Sequence, residues 1–156
     1  MPKPIKQRIT FDAAPKVIYA ALMESSSHSA FTGAPARIGG EVGATFSAHG
    51  GYIRGINVEL VPGKRIVQAW RGKNWPKGTY SIATFELEAA GKGKARLIFT
   101  QYGVPDKFHA RIAQGWKINY WQPLKLWLAR RVLERRPRAT KRETPAAPEN
   151  PSAPAA

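Results

Sequence analysis

Residues 106–133 read DKFHARIAQGWKINYWQPLKLWLARRVL, and large apolar side chains recur at every fourth position. The recurring residues are Phe108, Ile112, Trp116, Tyr120, Leu124 and Leu128. Because an α-helix turns once in 3.6 residues, this row predicts a helix from about Asp106 to about Leu133. Pro123 lacks a backbone N–H and predicts a kink, whereas Gly115 predicts a close approach of another backbone. A helix with so broad an apolar face requires a sheet to pack against.

The segment that precedes this helix supplies the sheet. Strand-like runs span residues 44–48, 52–61, 65–71, 79–88 and 95–102. They are separated by short turns that contain glycine or proline, and short turns join antiparallel neighbours. The sequence therefore predicts an antiparallel meander of about five or six strands.

The first 33 residues predict one strand and two short helices. Residues 5–11 alternate between apolar and polar side chains, with Gln7 as the one polar residue on the apolar face. Pro15 suits the first turn of a helix whose apolar residues follow at helical spacing. The serine run 25–27 predicts the N-cap of a second helix, which ends near Gly33.

These elements together predict an α+β fold, with a curved antiparallel sheet wrapped around a long C-terminal helix. Room for a ligand often remains between such a sheet and its helix. The predicted domain covers residues 1–133. Residues 134–156 contain five prolines and no Leu, Ile, Val, Phe, Tyr or Trp, which predicts a disordered, basic tail rich in proline and alanine.

Composition excludes several classes of protein. The chain has 156 residues, 43% of them hydrophobic, which is enough for a packed core. The absence of cysteine excludes disulfides, thiolate metal sites and cysteine nucleophiles. No apolar run approaches the roughly 18 residues of a membrane span, and the N-terminus lacks the apolar core of a secretory signal. We therefore expect a cytoplasmic monomer.

A formal charge of +15 predicts attraction to acidic surfaces, whether of proteins, membranes or nucleic acid. The basic residues are scattered along the chain rather than grouped in a nucleic-acid motif. A solvated basic surface is the favoured interpretation, nonspecific binding of anions comes second, and specific recognition of nucleic acid is the least favoured.

No arrangement of residues points to catalysis, to a metal or to a cofactor. The three histidines, His28, His49 and His109, lie in separate regions without metal-ligand spacing. The serine run 25–27 has no GxSxG context, and the glycine run 39–43 lacks the lysine of a phosphate-binding loop. We therefore predict no catalytic residue, no metal ligand and no cofactor.

Aromatic residues of several strands and of the long helix are the candidate binding site. In a sheet wrapped around a helix, these side chains converge on the interior. They either fill the core by packing or line an apolar pocket in which Trp and Tyr offer a polar group to a ligand. The candidates for the wall of such a cavity are Phe46, Trp70, Phe85, Phe99, Trp116 and Tyr120.

Five blocks carry a resemblance to a known family. They are AFTGAPA at residues 30–36, GGEVGATF at 39–46, LVPGKRIVQAWR at 60–71, WPKG at 75–78, and GVP at 103–105 with GWKINYWQPLK at 115–125. In this order they resemble the AHSA-type family, named for activators of the heat-shock chaperone ATPase. That family belongs to the START-like superfamily, also called SRPBCC or Bet v allergen-like. The resemblance covers residues 5 to about 128 and implies the helix-grip fold.

Members of the superfamily bind lipids, hormones or polyketides in the cavity, and some are cyclases. The resemblance therefore implies a non-enzymatic module that binds a small hydrophobic molecule between the sheet and the C-terminal helix. The alternative is a co-chaperone-type interaction module like the C-terminal domain of the chaperone activators, with a chaperone or another acidic protein as partner. The activators carry most of the chaperone contact in a separate N-terminal half, for which we expect no room in 156 residues. A cyclase-like enzyme or a binder of anions ranks below both.

Overall fold

Residues 3–135 are described by the structure, a computed structural model of the chain. Seven strands form one sheet in the order β1-β7-β6-β5-β4-β3-β2, and every neighbouring pair is antiparallel. The strands are β1 (Ile5–Phe11), β2 (Arg37–Ile38), β3 (Thr45–Ala48), β4 (Ile53–Val61), β5 (Arg65–Gly72), β6 (Ser81–Ala89) and β7 (Ala95–Tyr102). The predicted α+β helix-grip fold is confirmed, with the curved sheet holding a long C-terminal helix.

The helical elements lie before and after the meander. Two short helices, α1 (Pro15–Met23) and α2 (Ser25–Thr32), follow β1. The C-terminal helix consists of α3 (Asp106–Trp116), a π-helical segment (Lys117–Trp121) and α4 (Gln122–Arg135). None of the helices within residues 3–135 combines the length and apolar character that crossing a membrane requires.

Alternation along the strands gives the sheet one buried face. In β6 and β7 every second residue is buried, from Ser81 to Leu87 and from Ala95 to Gln101. Successive side chains of a strand point to opposite faces, so these residues share the face that holds the helix. We call it the inner face, and the opposite one the outer face.

The C-terminal helix changes its winding before Pro123. The sequence predicts a kink at this proline, and the structure has a π-helical segment over the five residues that end at Trp121. Pro123 has no N–H, and its ring would clash with the carbonyl four residues earlier in a regular α-helix. The wider π turn removes that conflict, because its bonds run between residues five apart.

The expected N-cap of α2 differs from the structure. The serine run does not cap α2, because Glu24 is the N-cap residue and no side chain caps the helix. Instead Ser25 and Ser29 accept hydrogen bonds from the backbone N–H groups of Ile38 and Ala36, at 2.8 and 3.0 Å. These serines therefore fasten α2 to the chain around β2.

The predicted domain boundary at residue 133 lies two residues before the end of α4. Apart from residues 134 and 135, the predicted basic tail of residues 134–156 lies outside the described residues. The boundary and the tail stay predictions.

Gly55 marks the tightest packing on the inner face. It pairs with Phe46 on β3 and with Trp70 on β5. A Cβ atom at this position would lie 1.9 Å from the carbonyl oxygen of Ala69 and 2.6 Å from the Phe46 ring. Only glycine lets the Phe46 ring lie directly against the β4 backbone.

We predict that Gly55→Ala lowers the free energy of unfolding by about 3 kcal/mol, because the added methyl must displace backbone and ring atoms. Gly40→Ala is the matched control, since nothing lies within 4 Å of a Cβ there. The control should change stability by less than about 0.5 kcal/mol. Urea denaturation of both variants measures the difference, and equal stability of the two would contradict this account.

Candidate functional site

All six aromatic residues predicted for the cavity wall lie inside the domain, each at most 7% exposed. Four come from the inner face of the sheet and two from the C-terminal helix. The Trp116 ring is the centre of the group, with ring centroids 4.4 Å from Phe99 and 4.5 Å from Tyr120. The remaining three are Phe46, Trp70 and Phe85.

The space between these rings is almost filled. Five of the six, all except Phe99, surround an internal void of about 20 Å³. A void needs roughly 10–15 Å³ to hold one water molecule, so this one has room for little more. A ligand larger than a water molecule therefore requires space outside this aromatic group. The role of the six residues in ligand binding stays a prediction.

Such space lies beside them, in a cleft of about 240 Å³ between α3 and the chain around β4. Trp70, Trp116 and Tyr120 belong to the walls of both the void and the cleft. The cleft is further lined by residues that the sequence did not single out for binding, namely His49, Tyr52, Ile53, Arg111, Ile112, Gly115 and Asn119.

Gly115 is the residue whose predicted role needs correction. Its place in a helix predicts a close approach of another backbone. A Cβ atom there would meet only the side-chain nitrogen of Asn119, at 3.6 Å, within ordinary contact distance. The missing side chain leaves space at the cleft instead.

A chain of buried hydrogen bonds holds Trp116 in position. The indole N–H of Trp116 donates to Oε1 of Gln101 at 2.7 Å, and Nε2 of Gln101 donates to the hydroxyl of Ser81 at 2.9 Å. The Ser81 hydroxyl donates in turn to the carbonyl oxygen of Trp70 at 2.9 Å. The shared wall of void and cleft is therefore connected to three neighbouring strands.

His28 and His49, distant in sequence, meet at Tyr120. Nε2 of His28 lies 3.0 Å from the Tyr120 hydroxyl, and the His49 ring centroid lies 5.4 Å from that of Tyr120. His49 has a φ of 51°, an uncommon backbone conformation for a residue other than glycine. Nδ1 of His28 and Nε2 of His49 are both buried without a hydrogen-bond partner in the described chain.

Burial keeps these three groups uncharged at neutral pH. It lowers the pKa of His28 to about 4, with His49 nearby adding to the shift and a backbone hydrogen bond opposing it. Burial lowers the pKa of His49 and raises the pKa of Tyr120. Within residues 3–135, no three His, Asp or Glu side chains gather as a metal site would require.

The outer face of the sheet carries a second candidate site, which we call the arginine row. Arg37, Arg54 and Arg71 lie on β2, β4 and β5 in one cross-strand row, with Ser47 of β3 between the first two. In the described part of the chain none of the three forms an ion pair. The Arg71 guanidinium lies over the Tyr80 ring, at 5.7 Å from its centroid.

Apolar side chains form the next row of the outer face. Ile56, Ala69, Ile82 and Tyr102 face one another across β4, β5, β6 and β7. Ile56, Ile82 and Tyr102 are 41–51% exposed. Large apolar groups left exposed side by side are typical of binding surfaces.

The opposite end of the outer face has a different electrostatic character. There Arg65 pairs with Glu59 and Glu86, and Arg96 pairs with Glu88 at 2.8 Å. At the arginine row, by contrast, no ion pair within residues 3–135 offsets the charges of the three guanidinium groups.

Helix-grip domains form a broad structural class, and comparison with known proteins identifies the family within it. The structure superimposes on an HSP90 activator from Plasmodium falciparum with a TM-score of 0.77, at 22% identity, over 82% of this chain and 97% of that one. It superimposes on the Aha1 dimer from Colwellia psychrerythraea with a TM-score of 0.65, at 25% identity, over 80% of this chain and 94% of that one.

Sequence comparison gives the family directly. The family described as "Activator of Hsp90 ATPase homolog 1-like protein" matches residues 12–129, so the chain belongs to this family, AHSA1, as the resemblance implied. It is 33% identical to an activator of 90 kDa heat shock protein ATPase homolog from Dictyostelium discoideum, over 79% of this chain and 32% of that protein. It is 34% identical to the human activator homolog 1, over 74% of this chain and 34% of that protein. The chain thus spans about a third of the length of these curated relatives.

We predict that the stability of the domain falls as the pH drops from 6.5 towards 4. His28 takes a proton near pH 6.5 in the unfolded chain but only near pH 4 in the folded domain. A lowered folded-state pKa gives stability that is complete above pH 6.5 and is lost as pH falls, up to about 3 kcal/mol.

The measurement is the free energy of unfolding at pH 7 and pH 4.5, for the native chain and for His28→Gln. His49 and Tyr120 face His28 and remain in both proteins. The native chain should lose about 2 kcal/mol more than the variant between the two pH values. Equal losses of unfolding free energy in the native chain and the variant would contradict a lowered pKa of His28 in the folded domain.

Proposed function

We propose that this chain is a co-chaperone-type interaction module whose partner is a chaperone of the 90 kDa heat-shock class. Its relatives from Dictyostelium and human are named as activators of that chaperone's ATPase. Because the chain matches only about a third of those proteins, the partner and the stimulation of ATP hydrolysis are both part of the proposal. The predicted monomeric state and cytoplasmic location belong to it as well.

The observation that carries this proposal is the outer face of the sheet. It combines three arginines that lack ion-pair partners among residues 3–135 with exposed apolar side chains in the adjacent row. Interfaces of this composition bind partners with acidic groups around an apolar centre, and their charges mainly accelerate association. The net charge of +15 adds long-range attraction to an acidic partner.

The test measures binding of the full chain to the purified 90 kDa heat-shock chaperone of the same organism, by calorimetry at two salt concentrations. Arg54→Glu should weaken binding at least tenfold, because it reverses a charge in the middle of the arginine row. Its matched control is Lys92→Glu, the same change of charge in the exposed turn between β6 and β7. That control should alter the affinity less than about threefold.

The possible results distinguish an error in the proposed binding site from an error in the proposed function. Equal losses in the two variants would mean that net charge, rather than the arginine row, controls binding. No binding of the native chain, together with no change in the rate of ATP hydrolysis by the chaperone, would overturn the proposed function itself.

A second candidate function is binding of a small hydrophobic molecule between the sheet and the C-terminal helix. The void of about 20 Å³ that five of the six predicted aromatic residues surround is too small for such a ligand. The specific observation in favour is the adjoining cleft of about 240 Å³, whose wall includes Trp70, Trp116 and Tyr120. Removing apolar ligand surface from water there would contribute roughly 25 cal/mol per Å² before the costs of ordering.

Gly115→Leu tests this candidate by filling the cleft from the helix. We predict that it removes the fluorescence enhancement of N-phenyl-1-naphthylamine, a neutral apolar probe. Gly115→Ala is the control, because its methyl group meets only the Asn119 side chain at 3.6 Å. Alanine should retain probe binding and, as the better helix former, raise stability by up to about 1 kcal/mol. Undiminished binding to the leucine variant would locate the probe elsewhere.

A further inference from the structure

The cleft beside Trp116 has an apolar floor and a polar rim. Its floor is formed by buried side chains from both sides, namely Ile53 and Trp70 of the sheet with Ile112 and Trp116 of α3. The ring centroids of Trp70 and Trp116 are 5.5 Å apart, and the rings are inclined by 38°. Aromatic side chains make up much of the lining, with Tyr52 and Tyr120 beside the two indoles. Aromatic rings favour edge-to-face or offset contacts with a further aromatic ring.

The helix side of the rim follows a spacing of four residues. Arg111, Gly115 and Asn119 form a row beside the buried row that contains Ile112 and Trp116. Gly115 has no positive φ and would accommodate a Cβ, so backbone geometry does not require glycine here. Glycine in a helix costs roughly 1 kcal/mol relative to alanine. Gly115 therefore leaves open space between the side chains of Arg111 and Asn119.

The charges around the cleft favour an anion. Arg111 is exposed and has no ion-pair or hydrogen-bond partner among residues 3–135, and no carboxylate of that region lines the cleft. On the sheet side His49 adopts its uncommon positive φ, and its Nε2 is buried without a partner. A free guanidinium forms paired hydrogen bonds with a carboxylate, which no neutral ligand reproduces.

The volume limits the size of the ligand. Liquid water occupies roughly 30 Å³ per molecule, so about 240 Å³ corresponds to some eight water molecules. Clefts for drug-sized ligands measure roughly 300–1,000 Å³. One or two fused aromatic rings fit this space, whereas a long acyl chain exceeds it.

We propose that the cleft binds a planar aromatic carboxylate of one or two rings, with the rings against the aromatic lining of the cleft and the carboxylate on Arg111. This inference rests on the second candidate function, ligand binding, and adds the chemical class of the ligand. It is independent of the arginine row, which lies on the other face of the sheet.

The test compares 2-naphthoate with 2-naphthamide, which has nearly the same shape and no charge. Both are titrated into the full-length chain at pH 7, followed by the NMR signals of the Gly115 amide and the Trp70 and Trp116 indoles. We expect saturable shifts at these signals and an affinity for the acid at least tenfold higher than that for the amide. Gly115→Leu should remove the shifts caused by both compounds while the melting temperature is maintained.

Arg111→Gln should bring the two affinities to within about twofold by weakening the acid alone. Lys117→Gln is the matched control, because it removes one positive charge from the same helix at a residue that lines a different groove. The control should leave the ratio of affinities unchanged.

Each negative result contradicts a different part of the proposal. Equal affinities of acid and amide in the native chain overturn the preference for an anion and leave apolar ligand binding intact. An acid preference that survives in Arg111→Gln overturns the role of Arg111. Shifts caused by neither compound at millimolar concentration overturn this inference and the ligand-binding candidate together.

Discussion

Two buried indole N–H groups join the C-terminal helix to the sheet, and the position of the helix depends on their acceptors. Trp116 donates to Gln101 of β7, and Trp121 donates to Gln7 of β1 at 2.6 Å. A buried N–H without an acceptor costs about 1–3 kcal/mol, so helix positions that break these bonds are strongly disfavoured. Gln7 also donates to the carbonyl oxygen of Ala113 at 2.9 Å, which adds a third bond between sheet and helix.

This arrangement explains why the interior is full and the open space lies to one side. With Trp116 held against Phe99 and Tyr120 beside it, the aromatic rings occupy the middle of the concave face. The space that remains lies towards α3, where Gly115 contributes no side chain. The outer face takes no part in this packing, so its exposed apolar residues are available to a partner. Its three arginines form no ion pair within residues 3–135, and Arg71 is held by a hydrogen bond to the carbonyl oxygen of Trp75 at 2.7 Å. The two proposed functions thus use opposite faces of one sheet.

The sequence predicted most of the fold because the informative patterns were local. Alternation, turn residues and the four-residue row identified six of the seven strands and the long helix to within a few residues, and missed only the two-residue β2. Gln7 was visible as a polar residue on an apolar face, but its role was not, because both partners lie more than 100 residues away. For the π-helical segment the sequence predicted only a kink at Pro123, because a local change of helical winding does not alter the spacing of the apolar residues. The sequence predicted that another backbone approaches Gly115, whereas in the structure this glycine lines a cleft. Sequence alone does not distinguish these two environments of a helical glycine.

The sequence by itself determined the order of the elements, the family and the group of aromatic residues in the interior, because these follow from local periodicity and short blocks. Only the tertiary structure decided which aromatic residues fill the core and where space remains, since volume depends on how side chains from distant segments fit together. It likewise brought His28, His49 and Tyr120 into one cluster and aligned Arg37, Arg54 and Arg71 in one row. Strand register and helix placement create such neighbours, and neither can be read from residues that are far apart in the chain.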